Sequence, residues 1–356
     1  MKALLLSKYR SLEMAEVPTP SAGPGEVLIR VGACGICGSD VHGYDGSSGR
    51  RIPPIVMGHE AAGRVAAVGT GVTGLAEGDR VTFDSTIYCG ACGYCKRGEV
   101  NLCDHRQVLG VSCGDYSRAG AFAEFVAVPA RVVYKLPDSI SFAEAAMMEA
   151  VAVAIHAVSL AKAKTKTGAE IAPAPDSSAL VIGAGTIGVL ILQALRAAGW
   201  RRVFVSDVDA TRLKLAKELA ATDVLLADGD VTSEILLRTS GVGVDVAMEA
   251  VGRNETVNAA IMSVRKGGTV VLVGNISPQA TLPLQKVVTR QIRLQGSCAS
   301  AGEYPEAIAL MASGAIRVKP LITAVAPLAE GPQWFERLYA REPNLLKVVL
   351  TPGPVS

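Results

Sequence analysis

Residues 179–188 read Ala-Leu-Val-Ile-Gly-Ala-Gly-Thr-Ile-Gly, an apolar run that leads into the pattern GxGxxG. The pattern alone is a weak signal, but here a strand-like run precedes it and a helical pattern follows it. Gly183 would permit a tight turn, Gly185 would let a ligand approach the backbone, and Gly188 would let helix and strand pack closely. Because a helix that starts at Thr186 and Ile187 directs unpaired N–H groups outward, the stretch predicts a dinucleotide site.

An acidic residue at the end of the next strand-like run supports this prediction. The carboxylate of Asp207 can accept hydrogen bonds from ribose hydroxyls and would repel a 2′-phosphate, which favours NAD over NADP. Arg212 is the counter-argument, since it can bind such a phosphate or stack near the adenine. The alternative is a plain strand-to-helix turn in which Asp207 caps a helix.

Strands and helices alternate throughout this part of the chain. Helical patterns fill most of the gaps between the strand-like runs, for example at 210–219 behind an Asp209 cap. This alternation predicts an α/β fold with a doubly wound parallel sheet. The strand-like runs lie at 179–182, 202–206, 223–226, 244–248, 269–273 and 291–294.

The rest of the chain has a different residue pattern, which predicts a second domain. The first 140 or so residues are rich in short apolar runs such as 26–31 and 63–68, punctuated by Gly and Pro. Ser141 and Glu144 match a capping box that would open a helix running to about Leu160, and 162–178 resembles an exposed connection. The tail beyond Gly296 is too short for its own core, so we expect it to pack on the N-terminal domain.

Composition excludes several classes of partner. Apolar residues make up 49% of the 356 residues, and 35 basic residues nearly balance 33 acidic ones, with no concentrated patch for nucleic acid or an anionic membrane. The apolar run at 3–6 is too short for an export signal, so we expect a cytoplasmic protein. The most apolar stretch, 179–195, is interrupted by glycines and is not expected to span a membrane.

Half of the eight cysteines fall in one short segment with metal-binding spacing. Four neighbouring thiolates suit a tetrahedral zinc with no open position, which predicts a structural site. Nucleic-acid-binding zinc ribbons use two separated CxxC pairs instead, and only Lys96 and Arg97 supply nearby positive charge. The alternative is a loop of reduced, unliganded thiols. The four are Cys89, Cys92, Cys95 and Cys103.

A second, dispersed set of metal-binding residue types combines a thiol, an imidazole and carboxylates. Cys37 lies in a glycine-rich segment, His59 and Glu60 follow a glycine, and Glu149 is the only charged residue between 145 and 161. A carboxylate on so apolar a helix needs a partner, unless it lies exposed at the helix edge. One thiolate, one imidazole and one carboxylate, with a position left open, is typical of catalytic zinc. Cys34 also forms CxxC with Cys37, but without a thioredoxin-like setting we expect it to be packed.

These motifs follow one another in the order typical of the zinc-containing medium-chain dehydrogenase/reductase superfamily, which the chain resembles over essentially its whole length. The resemblance implies a GroES-like catalytic domain at 1–155 and 296–356, with a structural zinc lobe at about 86–106, and a Rossmann NAD-binding domain at 156–295. It also implies a homodimer or homotetramer. Glu149 stands where many alcohol dehydrogenases carry a second cysteine, which resembles the sorbitol, galactitol-phosphate and threonine dehydrogenase branch.

The resemblance further implies roles for individual residues of the metal site. Cys37 and His59 would bind the catalytic zinc directly, and Glu60 and Glu149 would each serve as third ligand or as a partner through water. The choice between them stays open, since adjacent residues such as His59 and Glu60 should point to opposite sides of a regular strand.

A proton relay and further coenzyme contacts are implied in the same way. Ser39 would take the proton of the substrate and pass it through the nicotinamide ribose to His42, which lies on the same side of a helical turn. The alternative for His42 is an ordinary exposed histidine. The implied coenzyme contacts also include Val273, Gly274 and Ser297.

The expected function is therefore the oxidation of a secondary alcohol in a polyol or sugar alcohol, phosphorylated or not, with two zinc ions and NAD. Ala299 stands where sorbitol-type enzymes carry an arginine, which argues against sorbitol itself. Other candidates are an L-threonine 3-dehydrogenase-like enzyme and a simple secondary-alcohol dehydrogenase. A structural or nucleic-acid-binding zinc protein is disfavoured by the charge balance, the intact ligand set and the Ser39–His42 pair.

Overall fold

The structure is a computed structural model that describes residues 1–161, 163–164 and 170–353. By its internal contacts the chain divides into two units. The first comprises Met1–Glu149, Ser300–Ala312 and the residues from Val318 onward, and the second comprises Ala150–Ala299 and Ser313–Arg317. None of the helices that the structure describes combines the length and apolar character that crossing a bilayer requires.

The N-terminal part consists of short strands and short helices. They are β1 (Lys2–Lys8), β2 (Ser11–Glu16), β3 (Glu26–Gly35), α1 (Gly38–Tyr44), β4 (Ile55–Val56), β5 (Glu60–Val68), β6 (Arg80–Phe83), β7 (Thr86–Ile87), α2 (Gly93–Lys96), β8 (Gln107–Val108), β9 (Val111–Cys113), β10 (Tyr116–Arg118), β11 (Phe125–Pro129), β12 (Val133–Lys135), α3 (Phe142–Ala145) and α4 (Met148–Ala161).

Strands and helices alternate in the middle of the chain. They are β13 (Ala163–Lys164), β14 (Glu170–Ile171), β15 (Ser178–Ile182), α5 (Thr186–Ala197), β16 (Arg202–Asp207), α6 (Ala210–Glu218), β17 (Asp223–Leu226), α7 (Val231–Arg238), β18 (Val244–Glu249), α8 (Asn254–Ser263), β19 (Val264–Leu272), α9 (Leu284–Thr289) and β20 (Arg293–Gly296). The C-terminal part adds α10 (Tyr304–Ala312), β21 (Ile322–Pro327), α11 (Gly331–Tyr339) and β22 (Lys347–Thr351).

The central sheet of the first unit includes the C-terminal strand. Seven strands form this sheet in the order β12-β6-β5-β3-β22-β21, and β11 also pairs with β3. On β3, Val27, Ile29 and Val31 are buried at alternate positions, so one face of the strand packs on the core. β22 runs antiparallel to β3 and places Leu350 opposite Cys34. The end of β3, which leads into α1, is thereby fixed between strands from distant parts of the sequence.

The second unit contains the doubly wound parallel sheet that the sequence predicts. Its six strands lie in the order β17-β16-β15-β18-β19-β20, and every pairing is parallel. Asp209 caps α6 as expected, because its carboxylate accepts hydrogen bonds from the N–H groups of Thr211 and Arg212. The strand order reverses between β15 and β18, and ligands of such sheets bind beyond the carboxyl ends of the strands at this reversal.

The helix predicted from Ser141 to about Leu160 is interrupted. The capping box is present, with Glu144 N–H donating to Ser141 Oγ and the Glu144 side chain accepting from Ser141 N–H. The expectation of one continuous helix is wrong, because Met147 N–H donates to Glu144 O, only three residues back. This tighter turn separates α3 from α4. Of the expected exposed connection at 162–178, residues 162 and 165–169 lie outside the described residues, and 172–177 are largely exposed.

Truncation of a central strand residue should destabilise the second unit. Leu180 lies on β15 and is 0% exposed, so Leu180→Ala should cost about 2–5 kcal/mol, because the removed atoms leave a cavity. Leu237→Ala is the matched control, since that side chain is 76% exposed. Calorimetry and urea unfolding measure both variants. Equal unfolding midpoints for the two variants would contradict this account of the core.

Candidate active site

Three residues that the sequence singled out meet at one point of the first unit. Cys37, His59 and Glu60 each offer a ligand atom, and these atoms all lie within 4.8 Å of one another. A thiol, an imidazole and a carboxylate at this spacing suit a zinc ion with an open position, because zinc–ligand bonds of about 2.0–2.3 Å allow such separations. Cys34 is fully buried, so it packs in the core as expected.

The turn that places His59 depends on a glycine. Gly58 has φ of +96°, and a Cβ at this position would lie 2.8 Å from Phe122 N and 2.9 Å from Cys34 Sγ. β5 begins only at Glu60, so His59 lies before the regular strand. The expectation that His59 and Glu60 point apart is therefore wrong, because strand alternation does not yet apply at His59. Both side chains reach the same cluster.

A buried carboxylate orients the imidazole. Asp40 is 0% exposed, and its Oδ1 lies 3.2 Å from His59 Nδ1 while its Oδ2 accepts from Cys37 N–H at 3.2 Å. Because Nδ1 faces Asp40, Nε2 is the ring atom left for a metal. Burial alone would raise the pKa of Asp40, but His59 and Arg51 hold it at about 2. Burial alone would lower the pKa of His59, but the contact with Asp40 raises it well above its usual range.

Glu60 is already held by a buried ammonium group. Lys347 and Glu60 are 3% and 1% exposed, and Lys347 Nζ donates to Glu60 Oε2 at 2.5 Å and to Ile36 O at 3.1 Å. Burial alone would lower the pKa of Lys347, but the Glu60 carboxylate raises it. One oxygen of Glu60 is thus committed to Lys347, since a buried charge needs a partner.

Glu149 lies beside the cluster rather than in it. Among the described residues, the group that shares the 4.8 Å spacing does not include Glu149. Loss of hydration on burial raises the pKa of Glu149 to about 7, an effect that nearby His59 reduces and Glu60 increases. Its side chain therefore lies within electrostatic reach of both. The structure brings Glu60 into the ligand group and leaves Glu149 as its neighbour.

Ser39 lies against the same imidazole. Its Oγ is 3.4 Å from His59 Nε2 and accepts a hydrogen bond from Arg51 Nη2 at 3.1 Å. The hydroxyl is therefore adjacent to the ring atom that is available for a metal. His42 follows three residues later on α1 and is exposed. This spacing allows Ser39 and His42 to lie on the same face of the helix.

The four clustered cysteines also converge. Cys89, Cys92, Cys95 and Cys103 offer sulfur atoms that lie within 4.8 Å of one another, with Cys92 Sγ and Cys95 Sγ 3.5 Å apart. Backbone N–H groups point at the sulfurs, including Cys92 N–H to Cys89 Sγ at 3.3 Å. Such N–H groups, from Cys95 and Asp104, lower the pKa of Cys92 to about 6, which favours the thiolate. This donor set fits a closed, structural zinc site.

The glycines of 179–188 have the geometry that the sequence suggested. Gly183 has φ of +97°, and a Cβ on Gly188 would lie 1.7 Å from Gly183 O, so turn and helix pack without room for side chains. A Cβ on Gly185 would meet no atom within 4 Å, which leaves open space at the N-terminus of α5. Open space at the N-terminus of a helix fits the pyrophosphate of a dinucleotide.

Asp207 lies at the carboxyl end of β16 and binds the glycine-rich turn. Its Oδ2 accepts from Ala184 N–H at 2.5 Å, and its Oδ1 accepts from Asp209 N–H at 2.9 Å. The carboxylate is therefore fixed beside the turn. Arg212 pairs with Asp209, with 3.6 Å between Arg212 Nε and Asp209 Oδ2.

The other expected coenzyme residues follow neighbouring strands. Val273 and Gly274 come directly after β19, and both N–H groups donate to Glu249 O. Ser297 comes directly after β20, and its hydroxyl is buried without a hydrogen-bond partner among the described residues. These positions, with Gly183 and Asp207, all lie at the carboxyl edge of the parallel sheet, where coenzymes bind such folds.

Sequence reasoning missed three residues that organise the cluster of Cys37, His59 and Glu60. Asp40 lies inside the Cys37-Gly-Ser-Asp motif, so its position next to Ser39 was a usable signal. Arg51 and Lys347 carry no motif, and buried cations are uncommon enough that both would be read as surface residues. Only the fold shows that they pair with Asp40 and Glu60.

Known proteins match both halves of the chain. A family model described as "Alcohol dehydrogenase GroES-like domain" matches residues 23–138, and one described as "Zinc-binding dehydrogenase" matches 186–313. Sorbitol dehydrogenase of Bacillus subtilis is 35% identical over 359 residues, which cover 99% of this chain and 98% of the relative. L-idonate 5-dehydrogenase of Vitis vinifera is 35% identical over 331 residues, which cover 91% of this chain and 86% of the relative.

A solved structure agrees with these relatives. The chain is similar to a zinc-binding dehydrogenase from Sinorhizobium meliloti bound to NADP, with a TM-score of 0.87, 32% identity and 99% of each chain covered. The family models and the near-complete coverage of relatives at this identity lead to one conclusion. The chain belongs to the zinc-containing medium-chain dehydrogenase/reductase superfamily, within its polyol dehydrogenase branch.

Proposed function

We propose that the protein is an NAD-linked dehydrogenase that oxidises a secondary alcohol of a polyol or sugar alcohol to a ketone. The observation that carries this proposal is the cluster of Cys37, His59 and Glu60, which offers a mixed donor set beside the hydroxyl of Ser39. The relatives named sorbitol dehydrogenase and L-idonate 5-dehydrogenase support a polyhydroxylated substrate. Ala299, in place of the expected arginine, argues for a substrate other than sorbitol.

Each residue of the cluster has a defined task in this proposal. Zinc, when bound, supplies Lewis-acid activation of the alcohol hydroxyl, and a bound nicotinamide coenzyme supplies the acceptor for the hydride of the carbinol carbon. Cys37 and His59 would hold the metal, His59 through Nε2, because Asp40 contacts the other ring nitrogen, Nδ1. Glu60 serves as the third ligand, and Glu149 stays close enough to act through water.

The proton of the alcohol leaves through α1. Ser39 Oγ accepts it, since this hydroxyl lies beside the metal-binding nitrogen of His59. His42 is exposed on the same helix and releases the proton to water, because its side chain reaches solvent. The alcohol thus loses one hydride and one proton, and Ser39 ends the cycle unchanged.

The choice of NAD rests on Asp207. Its carboxylate is fixed beside the glycine-rich turn, where it would bind ribose hydroxyls and repel a 2′-phosphate. The NADP in the Sinorhizobium meliloti structure is the reason to test this choice. The pairing of Arg212 with Asp209 supports NAD, because that guanidinium is already engaged by a carboxylate.

Assembly and compartment belong to the same proposal. β20 forms one edge of the parallel sheet, and Leu284 and Val288 just before it are each 67% exposed. Unpaired strand edges and exposed apolar side chains favour association, so we propose a homodimer or homotetramer through this edge. None of the eight cysteines, all of which lie in the described part of the chain, forms a disulfide, which suits the reducing cytoplasm.

The direct test is coenzyme reduction by candidate alcohols. We expect the zinc-loaded protein to reduce NAD with at least one polyol or polyol phosphate, and to prefer it over threonine and simple secondary alcohols. Cys37→Ser should lose this activity by at least about 10²-fold, because a metal ligand is lost. Faster turnover of threonine than of every polyol, or full activity of Cys37→Ser, would contradict the proposal.

The two donor sets predict two zinc ions per chain. Cys103→Ser should lower the content to one and lower the melting temperature, because a structural zinc contributes directly to folding. Cys113→Ser is the control and should retain both ions, since Cys113 belongs to neither set. Elemental analysis and calorimetry provide the measurements. A content of two zinc ions in Cys103→Ser would contradict the proposed four-cysteine zinc site.

Loss of the Asp207 charge should weaken the preference for NAD. Asp207→Asn keeps one acceptor oxygen for the backbone, but it removes the charge-assisted hydrogen bond to the ribose of NAD and the repulsion of the 2′-phosphate of NADP. The KM for NAD should therefore rise by about 10-fold or more relative to the KM for NADP. Asp230→Asn, at the N-cap of α7, is the control. An unchanged ratio of kcat/KM values for the two coenzymes would show that Asp207 does not select between them.

A further inference from the structure

Arg51 is a buried cation in contact with the proposed proton path. The residue is only 4% exposed, whereas the adjacent Arg50 is exposed. Arg51 Nη2 donates to Asp40 Oδ1 and to Ser39 Oγ, each at 3.1 Å. Arg51 Nε is buried without a hydrogen-bond partner among the described residues, which is costly. The position of the guanidinium is therefore set by its two acceptors, Asp40 and Ser39.

Two features of the fold hold Arg51 in this position. A Cβ on Gly43 would lie 2.4 Å from Arg51 Cγ, so α1 accommodates the side chain only because residue 43 is glycine. Ser112 fixes the backbone on both sides of Arg51, since Ser112 N–H donates to Arg50 O at 3.1 Å and Ile52 N–H donates to Ser112 Oγ at 2.6 Å. The backbone of Arg51 is thus fixed by β9, and its side chain packs closely against α1.

The contact restricts the Ser39 hydroxyl. A hydroxyl has one hydrogen to donate and two lone pairs that accept, and a guanidinium can only donate. Arg51 therefore occupies one lone pair of Ser39 Oγ and never receives its hydrogen. Without Arg51, the hydroxyl would be free to turn its hydrogen toward the neighbouring Asp40 carboxylate and leave the relay.

We propose that Arg51 is a positioning residue for proton transfer. By occupying one lone pair of Ser39 Oγ, Arg51 keeps the second lone pair directed toward the alcohol and the O–H directed toward the next group of the relay. This inference rests on the proposed function. The alcohol proton bonds to the open lone pair of Ser39 Oγ as the original Ser39 proton leaves along the relay to His42 and then to water. The hydride leaves carbon with its electron pair for NAD⁺, so the products are ketone, NADH and one proton.

The test compares zinc-loaded Arg51→Met with Arg50→Met and the parent enzyme. Arg51→Met should lower kcat by about 10- to 100-fold and increase the solvent deuterium isotope effect on kcat, because a poorly oriented hydroxyl makes proton transfer limiting. Zinc content, the cobalt absorption spectrum and NAD affinity should remain those of the parent. Guanidinium ion should restore part of the rate and ammonium should not. Arg50→Met should match the parent throughout.

A double-mutant cycle separates positioning from a general structural role. If Arg51 acts through Ser39, Arg51→Met should change kcat by less than roughly twofold in a Ser39→Ala background. Equal losses in both backgrounds, or loss of zinc from Arg51→Met, would overturn the inference. Gly43→Ala provides a second variant that displaces Arg51 without removing it, and it should show the same rate loss and isotope effect. Parent values of kcat in both Arg51→Met and Gly43→Ala would also overturn the inference.

Failure of the proposed function gives a different result. One such result is a parent enzyme that reduces NAD with none of the alcohols, and another is a Ser39→Ala variant that keeps the parent kcat. Either result would contradict the relay and, with it, the proposed role of Arg51. An active parent and a slow Ser39→Ala, combined with an Arg51→Met at parent kcat, would overturn the role of Arg51 alone.

Discussion

The metal cluster depends on the buried carboxylate of Asp40. Its oxygens contact the imidazole of His59, the guanidinium of Arg51 and the backbone N–H of Cys37. One side chain thus joins two proposed metal ligands and the arginine that contacts Ser39. A carboxylate at 0% exposure would be costly without these contacts. With them, its charge is compensated, and its contact with Nδ1 leaves Nε2 of His59 for the proposed metal.

The cluster also depends on the register of the central sheet. Gly35 on β3 lies opposite Glu60 on β5 and opposite Val349 on β22. A Cβ on Gly35 would lie 2.5 Å from Glu60 Oε2, so glycine leaves the space in which Glu60 meets Lys347. A slip of one residue in either pairing would turn these side chains to the other face of the sheet. The C-terminal strand therefore supports the proposed metal site through Lys347, which is not one of its proposed ligands.

Local patterns predicted much of this arrangement. The glycines of 179–188, the cysteine spacing and the Ser141 capping box act over a few residues, and the structure has the geometry that each one implied. The prediction that His59 and Glu60 point apart was wrong, because it assumed a strand at a position where the Gly58 turn still controls the backbone. The interruption after α3 was likewise not visible in the apolar pattern of the helix.

Contacts between distant segments were beyond sequence reasoning. Glu60 and Lys347 are 287 residues apart, and their pairing follows from the order of strands in the sheet rather than from any motif. Arg51 is 11 residues from Asp40, but neither residue type nor spacing distinguishes it from the exposed Arg50. Nor could the sequence choose between Glu60 and Glu149, since the choice depends on how the backbone turns at Gly58.

The central claim is that Cys37, His59 and Glu60 hold one zinc ion in an open site. Anomalous diffraction at the zinc edge, from crystals of the zinc-loaded protein, tests this most directly. The account predicts a peak about 2.0–2.3 Å from Cys37 Sγ and His59 Nε2, in addition to a peak among the four cysteines of the lobe. A fully loaded crystal with density only in the cysteine lobe, or with zinc bound at Nδ1 of His59, would contradict it.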